Sequence, residues 1–336
     1  MLRDQSEQTQ DYKIVERFTI EHINQHSLAS YRSLFKIEFP NHPWTDLDDE
    51  EFLYRISGID KDNNGKYRLT EAGLFMFSND YEIEKAFPDY FLDYREMMDS
   101  STKWTNRIHS GDGSWSGNLY DFFFLIMPYL SSAFKNPFDS DTTGKRVGEA
   151  PAVLGVREAF INCICNANFY DIYGIVIKRY PNKFEFENPG ILRIPVEKAI
   201  VGGNSNPRNK AIMKMFSLIG YGERAGSGIS NIFEIWKTQQ WPEPRIIQEF
   251  NHDRTILELK FSSIDENSTL DLFTQPIYQS VYQFMQQHEV VKTKDIMQLL
   301  EVKEARARQI LKEMTNLGFI SALGANRNRV YQIKKR

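Results

Sequence analysis

The sequence contains no hydrophobic run long enough to cross a membrane. Its most apolar stretch, LYDFFFLIMPYL at residues 119–130, contains Asp121 and Pro128, and it is shorter than the ~20 residues that a spanning helix requires. The first residues, MLRDQSEQTQDYK, are polar and lack the apolar centre of a signal peptide. These absences argue against a membrane-spanning or exported protein, and we expect a cytoplasmic one.

Cysteine is scarce, with only Cys163 and Cys165 in 336 residues. Two positions apart in a predicted helix, these residues would point ~200° apart around its axis and could not form a disulfide with each other. We interpret both as buried, reduced thiols, as expected in a cytoplasmic protein. The sequence also has no Walker A lysine motif, which argues against a P-loop nucleotide site.

The composition is typical of a globular protein, since 41% of the residues are hydrophobic and 26% are charged. The length of 336 residues is sufficient for two or three domains. The net charge of −4 is unevenly distributed. Residues 276–336 contain 11 Lys and Arg against 5 Asp and Glu, a net of +6, whereas residues 1–275 carry a net of −10. A polyanionic partner is therefore expected to contact the C-terminal end.

A polar stripe marks the run REAFINCICNANF at 157–169, in which Glu158, Asn162 and Asn166 recur every four residues. On a helix predicted over about 155–169, positions i, i+4 and i+8 share one face. The neighbouring side chains are apolar. The stripe is compatible with a phosphate-and-metal site, and equally with an ordinary amphipathic helix.

Three turn-bearing motifs follow the stripe: FENPG at 186–190, GGNSNPRN at 202–209 and GYGERAGSGI at 220–229. The first ends a hairpin predicted from strands at 175–180 and 183–188, because proline stops a ladder and glycine permits a sharp turn. The last opens a helix, whose N-terminal N–H groups are suited to phosphate binding. A strongly apolar helix is predicted before the stripe, over about 118–134.

The segment DKDNNGKYRLTE at 60–71 matches the calcium-loop pattern D-x-D-x-N-G-x5-E. However, Arg68 stands at the ninth loop position, where an oxygen ligand or a water is expected. The alternative is a turn at 63–65, a short strand at KYRL and a helix capped by Thr70. We favour this second interpretation.

Residues 276–336 have the pattern of a winged helix-turn-helix, with three amphipathic helices followed by two short strands. In such a module the third helix enters the major groove and the wing follows the backbone. The alternative is a winged helix that mediates protein contacts, which Glu304 beside the arginines slightly favours. Candidate DNA-contacting residues are Arg306 and Arg308 for bases, and Lys303, Arg327 and Arg329 for phosphates.

Taken together, REAFINCICNANF, ENPGIL, GGNSNPRN and ERAGSGI resemble the RecG-related transcriptional regulators, over about residues 66–336. The resemblance implies an α+β multidomain chain. Its parts would be a helical/mixed N-terminal region at 1–115, a GHKL-type ATPase-like α/β sandwich at 116–263, a linker at 264–275 and a winged helix-turn-helix at 276–336. The family's Schlafen-AlbA-type N-terminal domain has no counterpart here, which implies a fragment or a shortened member.

The same resemblance implies roles for individual residues in binding ATP and Mg²⁺. Glu158 would be the base that activates water, and Asn162 would be the magnesium ligand. Asn188 and Gly190 would lie where related ATPases bind adenine. The expected nucleotide-binding residues are Asn162, Asn166, Asn188, Gly190, Arg208, Gly226, Ser227 and Gly228.

The chain departs from the family where a His-Arg-Asp-Tyr run is usual, because it has Asn166-Ala167-Asn168-Phe169 instead. Asparagine cannot take up a proton as histidine or aspartate can. We therefore expect a DNA-binding regulator that forms homo-oligomers and whose ATPase-like domain senses nucleotide or mediates dimerisation. The alternatives are an ATP hydrolase that drives a DNA-associated partner, and a structural module without a ligand.

Overall fold

A computed structural model describes residues 9–98, 103–134, 150–203, 205–222, 228–261, 276–288, 290–316, 319–324 and 329–333. The chain divides into two compact units, Met1–Ser262 and Ser263–Arg336. The linker predicted at 264–275 lies outside the described residues. No helix in the described parts of the chain is long and apolar enough to cross a membrane.

The first part of the larger unit is mainly helical. Helix α1 begins after Asn24, whose side chain accepts hydrogen bonds from the N–H groups of His26 and Ser27. The elements of this part are α1 (Gln25–Glu38), α2 (Asp49–Ile56), β1 (Ile59–Lys61), β2 (Tyr67–Leu69), α3 (Glu71–Phe77) and α4 (Asp80–Ile83).

The calcium-like segment forms the hairpin that we favoured from the sequence. Strands β1 and β2 pair antiparallel, Gly65 adopts a φ of +72° in the turn, and the Thr70 hydroxyl caps α3 by accepting from the Gly73 N–H at 3.0 Å. The Asp62 carboxylate accepts hydrogen bonds from the backbone of Lys66 and Asn64 and from Arg68. These bonds, the one from the Lys66 N–H above all, hold the pKa of Asp62 below its ordinary value. In this structure the residues of the calcium-loop pattern therefore stabilise a β-turn.

A mixed six-stranded sheet follows, in the order β4-β3-β5-β6-β8-β7. Strand β3 runs parallel to β5, and the other neighbours are antiparallel. Strands on both sides of the predicted boundary at 115/116 belong to this sheet. Its strands are β3 (Leu92–Glu96), β4 (Asn106–His109), β5 (Ile175–Arg179), β6 (Lys183–Pro189), β7 (Arg245–Glu249) and β8 (Arg254–Lys260).

Helices cover one face of the sheet, because apolar and charged side chains alternate along its strands and the apolar ones point to that face. Phe184 and Phe186 of β6 are buried toward the helices, and the Phe186 ring lies 6.2 Å from that of Phe160. The opposite face carries ion pairs such as Lys183–Glu258 at 2.8 Å. The covering and flanking helices are α5 (Leu119–Ser131), α6 (Pro151–Asn166), α7 (Val196–Val201), α8 (Lys210–Ser217) and α9 (Gly228–Thr238).

One hydrophobic core runs through the whole larger unit, from Phe18 to Leu259. The N-terminal segment is attached to α8 by Asp11, a fully buried residue whose carboxylate accepts from the Ile212 N–H at 2.9 Å. This contact lies at the start of α8, where the positive end of the helix dipole favours a carboxylate. Burial nevertheless dominates and raises the pKa of Asp11 to about 6.

The described residues of the smaller unit form three helices followed by a two-stranded antiparallel sheet. The sequence predicted helices and strands at these positions. A separate core packs these elements together, with Val281, Ile296, Ile310 and Leu311 among its buried members. The five elements are α10 (Pro276–Gln286), α11 (Thr293–Leu300), α12 (Glu304–Asn316), β9 (Ile320–Leu323) and β10 (Val330–Ile333).

Candidate functional site

Helix α6 carries the polar stripe into the interior of the larger unit. It starts with Pro151 at its first turn, a position that proline favours because no backbone N–H is needed there. The Asn162 side chain donates to the Glu158 carbonyl at 2.8 Å, and the Asn166 side chain donates to the Asn162 carbonyl at 2.9 Å. Each amide NH₂ is thus engaged with the helix, which leaves the side-chain oxygens as acceptors.

A cavity opens along this stripe and brings together residues that are up to 71 positions apart. Glu158, Asn162 and Asn166 line it together with Gly228, the first residue of α9. With Ser205 and Asn206, the cavity joins three of the motifs singled out in the sequence. Its remaining lining residues are Ile161, Leu192, Arg193, Ile194, Ala199, Met213, Gly222 and Ile229.

Gly228 lies directly against the acidic end of the stripe. A Cβ placed on this residue would lie 3.0 Å from Oε2 of Glu158 and 2.9 Å from Nδ2 of Asn162. Glycine therefore permits the N-terminus of α9 to approach the two side chains that the sequence nominated as base and metal ligand. Gly226 and Ser227, also expected to bind phosphate, lie outside the described residues.

A second cavity adjoins the first, and the two share Asn162, Asn166, Leu192 and Ile229. Asn188 and Thr255 line this second cavity. The Asn188 amide donates to the carbonyl of Pro189 at 3.1 Å, so its side-chain oxygen remains an acceptor. Glu158 and Asn188 thus belong to adjoining parts of one cleft, although they come from different elements.

Gly190 lies at the end of β6 and does not line either cavity. Its φ is +88°, and a Cβ there would lie 2.8 Å from the guanidinium carbon of Arg208. The Gly190 carbonyl accepts from the Thr255 hydroxyl at 2.8 Å. This glycine therefore fixes the turn behind the second cavity.

Arg208 caps helix α6 and does not line either cavity. It is only 5% exposed, and it donates to the Asn166 carbonyl at 2.9 Å. The adjacent Asn209 donates to the carbonyls of Ile164 and Ala167 at 3.1 and 2.8 Å. Together they satisfy carbonyls that the C-terminal end of a helix leaves without partners, so the basic residue of GGNSNPRN positions α6.

Arg193 is a lining residue that the sequence reasoning missed. It follows Gly190 by three positions and brings a positive charge into the cavity of Glu158. Ser205 and Asn206 were missed as well, although their motif was singled out. The sequence did contain a signal for Arg193, because it follows the turn at Asn188-Pro189-Gly190, which was predicted to lie at the nucleotide site. Guanidinium groups bind phosphate well, so an arginine at this position could have been predicted to contact the ligand.

Cys163 also lines the second cavity, whereas Cys165 does not. Both thiols are buried and neither forms a disulfide. Burial raises the pKa of each, with a further contribution from nearby Glu187 for Cys163 and from Asp11 for Cys165. Both therefore remain protonated and unreactive at neutral pH.

The oxygens in the cleft fit the Mg²⁺ that the sequence resemblance implied. Mg²⁺ is usually held by one or two protein oxygens together with phosphate oxygens and waters. The Asn162 amide supplies such an oxygen on one face of α6, and the Glu158 carboxylate, the candidate base, lies beside it against Gly228. The described parts of the chain contain no group of three or more His, Cys, Asp or Glu side chains that could hold a metal ion.

The smaller unit exposes basic residues on α12 and before β10. Lys303, Arg306, Arg308 and Arg329 are all exposed, and Arg327 lies outside the described residues. Arg308 pairs with Glu304 one turn earlier at 2.5 Å. Glu304, which the sequence analysis singled out, therefore forms an ion pair with one of the two candidate DNA-contacting arginines of α12.

The larger unit has an α+β fold, with helices on one face of a mixed sheet. A family model described as "Putative ATP-dependent DNA helicase recG C-terminal" matches residues 173–257, and a model described as a domain of unknown function (DUF8451) matches residues 1–93. The first match supports a RecG-related, ATPase-like domain. Comparison with functionally curated proteins gives no match.

The fold is similar to that of the DIP2311 protein from Corynebacterium diphtheriae, known from a crystal structure. The TM-score is 0.58 at 18% sequence identity, and the match covers 99% of this chain and 65% of that one. The chain therefore spans about two thirds of the length of this relative. At this identity the likeness concerns the fold alone.

Proposed function

We propose that this chain is a nucleotide-binding, DNA-associated regulator. The observation that carries the proposal is the single cleft lined by Glu158, Asn162 and Asn166, with Arg193 and the glycine that begins α9. Its polar groups come from segments far apart in the sequence, and they match what a phosphate-bearing ligand requires. The match of residues 173–257 to an ATPase-like family model supports this choice of ligand.

The chemistry of the cleft fits ATP in both of its parts. Arg193 and the N-terminus of α9 favour the negative charge of phosphates. Asn188 retains an acceptor oxygen in the adjoining cavity, where the amino group of adenine could donate to it. Mg²⁺ would reduce the phosphate charge, with Asn162 as the residue that holds it.

Thermal shift and calorimetry with MgATP test nucleotide binding. A ligand that binds only the folded state at about 100 times its dissociation constant stabilises it by roughly 2.7 kcal/mol. We expect the melting temperature to rise by several degrees, and Asn162→Ala to abolish the rise. Asn182→Ala, in the exposed turn between β5 and β6, is the matched control. Equal shifts for the two variants, or none for the wild type, would contradict the proposal.

For the smaller unit we propose a winged helix-turn-helix that binds duplex DNA. Three helices and a hairpin with exposed arginines on the third helix support this assignment. Since such binding is largely electrostatic, affinity should fall steeply as salt rises. We expect the double variant Arg306→Ala/Arg308→Ala to bind duplex at least tenfold more weakly, with Lys66→Ala in the larger unit as a control. Unchanged binding by the double variant would rule out the assignment of α12.

ATP hydrolysis is a second candidate function, which the position of Glu158 in the cleft favours. A carboxylate there could accept a proton from an attacking water. The amides of Asn166 and Asn168 cannot assist such proton transfer, so we expect slow turnover. Phosphate release should require magnesium and should stop in Glu158→Gln. A wild-type rate equal to that of the variant would exclude hydrolysis at this site.

A further inference from the structure

Strand β7 forms an outer edge of the six-stranded sheet. It pairs with β8 on one side, and no other strand of the described residues pairs with it. Unpaired edges of this kind offer backbone N–H and C=O groups to another strand. Ile247, at the centre of the strand, is 37% exposed, so the edge also offers apolar surface.

The sequence of β7, Arg-Ile-Ile-Gln-Glu, is complementary in charge to itself when reversed. Arg245 and Glu249 lie at equal distances on either side of Ile247. If the β7 strands of two copies pair antiparallel over all five residues of the strand, Ile247 of one copy lies opposite Ile247 of the other. In that register Arg245 of each copy faces Glu249 of the other, on the same face of the sheet.

We propose that β7 is a self-association surface, through which a second copy of this chain extends the sheet about a twofold axis at Ile247. Such an axis gives the same patch to both copies, as in most homodimers. The inference is independent of nucleotide binding and of DNA binding. It gives a specific interface to the homo-oligomer expected from the sequence.

The contacts within one chain leave the terminal charges of β7 available for this pairing. Arg245 is 66% exposed at its side chain, and its Nη1 lies 3.9 Å from the Glu258 carboxylate, beyond hydrogen-bonding distance. Glu249 pairs with Arg254 at 2.9 Å and keeps 36% of its side chain exposed. A dimer would place Arg245 between Glu258 of its own chain and Glu249 of the second copy, so charges would alternate across the junction.

Edge strands that must stay single often carry charges that repel another copy. A row of lysines would do so in any register. Opposite charges placed symmetrically about an exposed isoleucine have the other effect, because they favour one register. Pro244 directly precedes the strand and lacks an N–H, which limits the pairing to the residues that follow it.

The interface also adjoins the cleft. Ile246 lines the second cavity together with Thr255 and Leu257 of β8. One strand, β8, therefore separates the pairing edge from β6, which carries Asn188. Self-association and nucleotide binding can still be measured separately, since neither Arg245 nor Glu249 lines the two cavities.

Charge reversal tests the proposal with the full-length chain. Sedimentation equilibrium of the wild type should give a dimer at micromolar concentration, whereas Arg245→Glu and Glu249→Arg should each dissociate at least tenfold more readily. In a mixture of the two variants each substituted charge faces an opposite charge, so the mixture should form a heterodimer. Reversals on the exposed side of α9, Lys237→Glu and Glu234→Arg, should leave the dimer unchanged.

Circular dichroism melting would check that each variant is folded. Ile247→Lys provides a further variant, because this exposed position tolerates lysine in a monomer but places two like charges at the twofold axis. A monomeric wild type, a dimer that all three β7 variants leave intact, or variants that fail to associate when mixed would overturn the proposal. Nucleotide and duplex binding by the monomeric variants should remain at the wild-type level.

Discussion

Gly228 and Glu158 are in close contact across the junction of α6 and α9. A Cβ on Gly228 would lie 3.0 Å from Oε2 of Glu158. The same helix pair has a second close approach, because a Cβ on Gly155 of α6 would lie 2.6 Å from the Trp236 ring of α9. Each helix thus contributes a glycine that receives a large or charged side chain of the other, and this fixes the width of the cleft.

Gly228→Ala should weaken nucleotide binding without unfolding the protein. The new methyl group would displace Glu158 and Asn162, the side chains that line the proposed phosphate end of the cleft. We expect roughly a tenfold rise in the dissociation constant of MgATP, which corresponds to about 1.4 kcal/mol, measured by calorimetry. Glu234→Ala, on the exposed side of the same helix, controls for the general effect of alanine in α9. Equal affinities for the two variants would show that the contact does not shape the site.

Arg193→Ala and Arg208→Ala should affect different properties, although each removes an arginine near the cleft. Arg208 is buried and caps α6, so its loss should lower the free energy of unfolding by roughly 2–4 kcal/mol. Arg193 lines the cleft, so its loss should weaken nucleotide binding with little change in stability. Chemical denaturation and calorimetry distinguish the two. The reverse pattern would restore Arg208 as a ligand-binding residue.

Asp11→Asn should change how the stability of the protein depends on pH. The pKa of Asp11 is raised from 3.8 to about 6 by burial, so the protonated form is favoured in the folded state. Its stabilising effect is complete below about pH 4 and is lost as the pH rises through 6. Above pH 7 the buried charge costs about 3 kcal/mol.

Asparagine keeps an acceptor for the Ile212 N–H but carries no charge. The variant should therefore match the wild type near pH 4 and exceed its stability above pH 7, in urea denaturation at several pH values. If the wild type instead loses stability as the pH falls through 6, attraction to the α8 N-terminus outweighs burial.

Glu304→Gln should strengthen duplex binding severalfold. The substitution releases Arg308 from its ion pair and removes a negative charge from the start of α12. Fluorescence anisotropy at two salt concentrations measures the change, and the gain should shrink at high salt because exposed charges are screened. Weaker binding would mean that Glu304 positions Arg308 for its contact. No change would place α12 outside the interface.

Local patterns in the sequence predicted most elements of the fold. Helices over 118–134 and 155–169 are confirmed as Leu119–Ser131 and Pro151–Asn166, and the hairpin of β5 and β6 is confirmed as well. The parallel pairing of Leu92 with Ile175 was not predicted. It joins strands more than 80 residues apart, and contacts over such distances leave no periodic signal in either strand.

For the site, the periodicity of Glu158, Asn162 and Asn166 predicted a shared polar face, and all three line one cavity. The functions assigned to them remain predictions. The position of Arg208 could not be inferred, because an arginine beside a phosphate and an arginine that caps a helix have the same local sequence. Only the fold shows that the end of α6 lies beside this arginine.

The parallel pairing of β3 with β5 has a practical consequence for anyone who dissects this chain. A fragment limited to the family match at 173–257 would lack α6, and with it Glu158, Asn162 and Asn166. It would also expose the side of β5 that β3 covers. Biochemical work on the cleft therefore needs the whole segment from the residues before Asp11 to the end of β8.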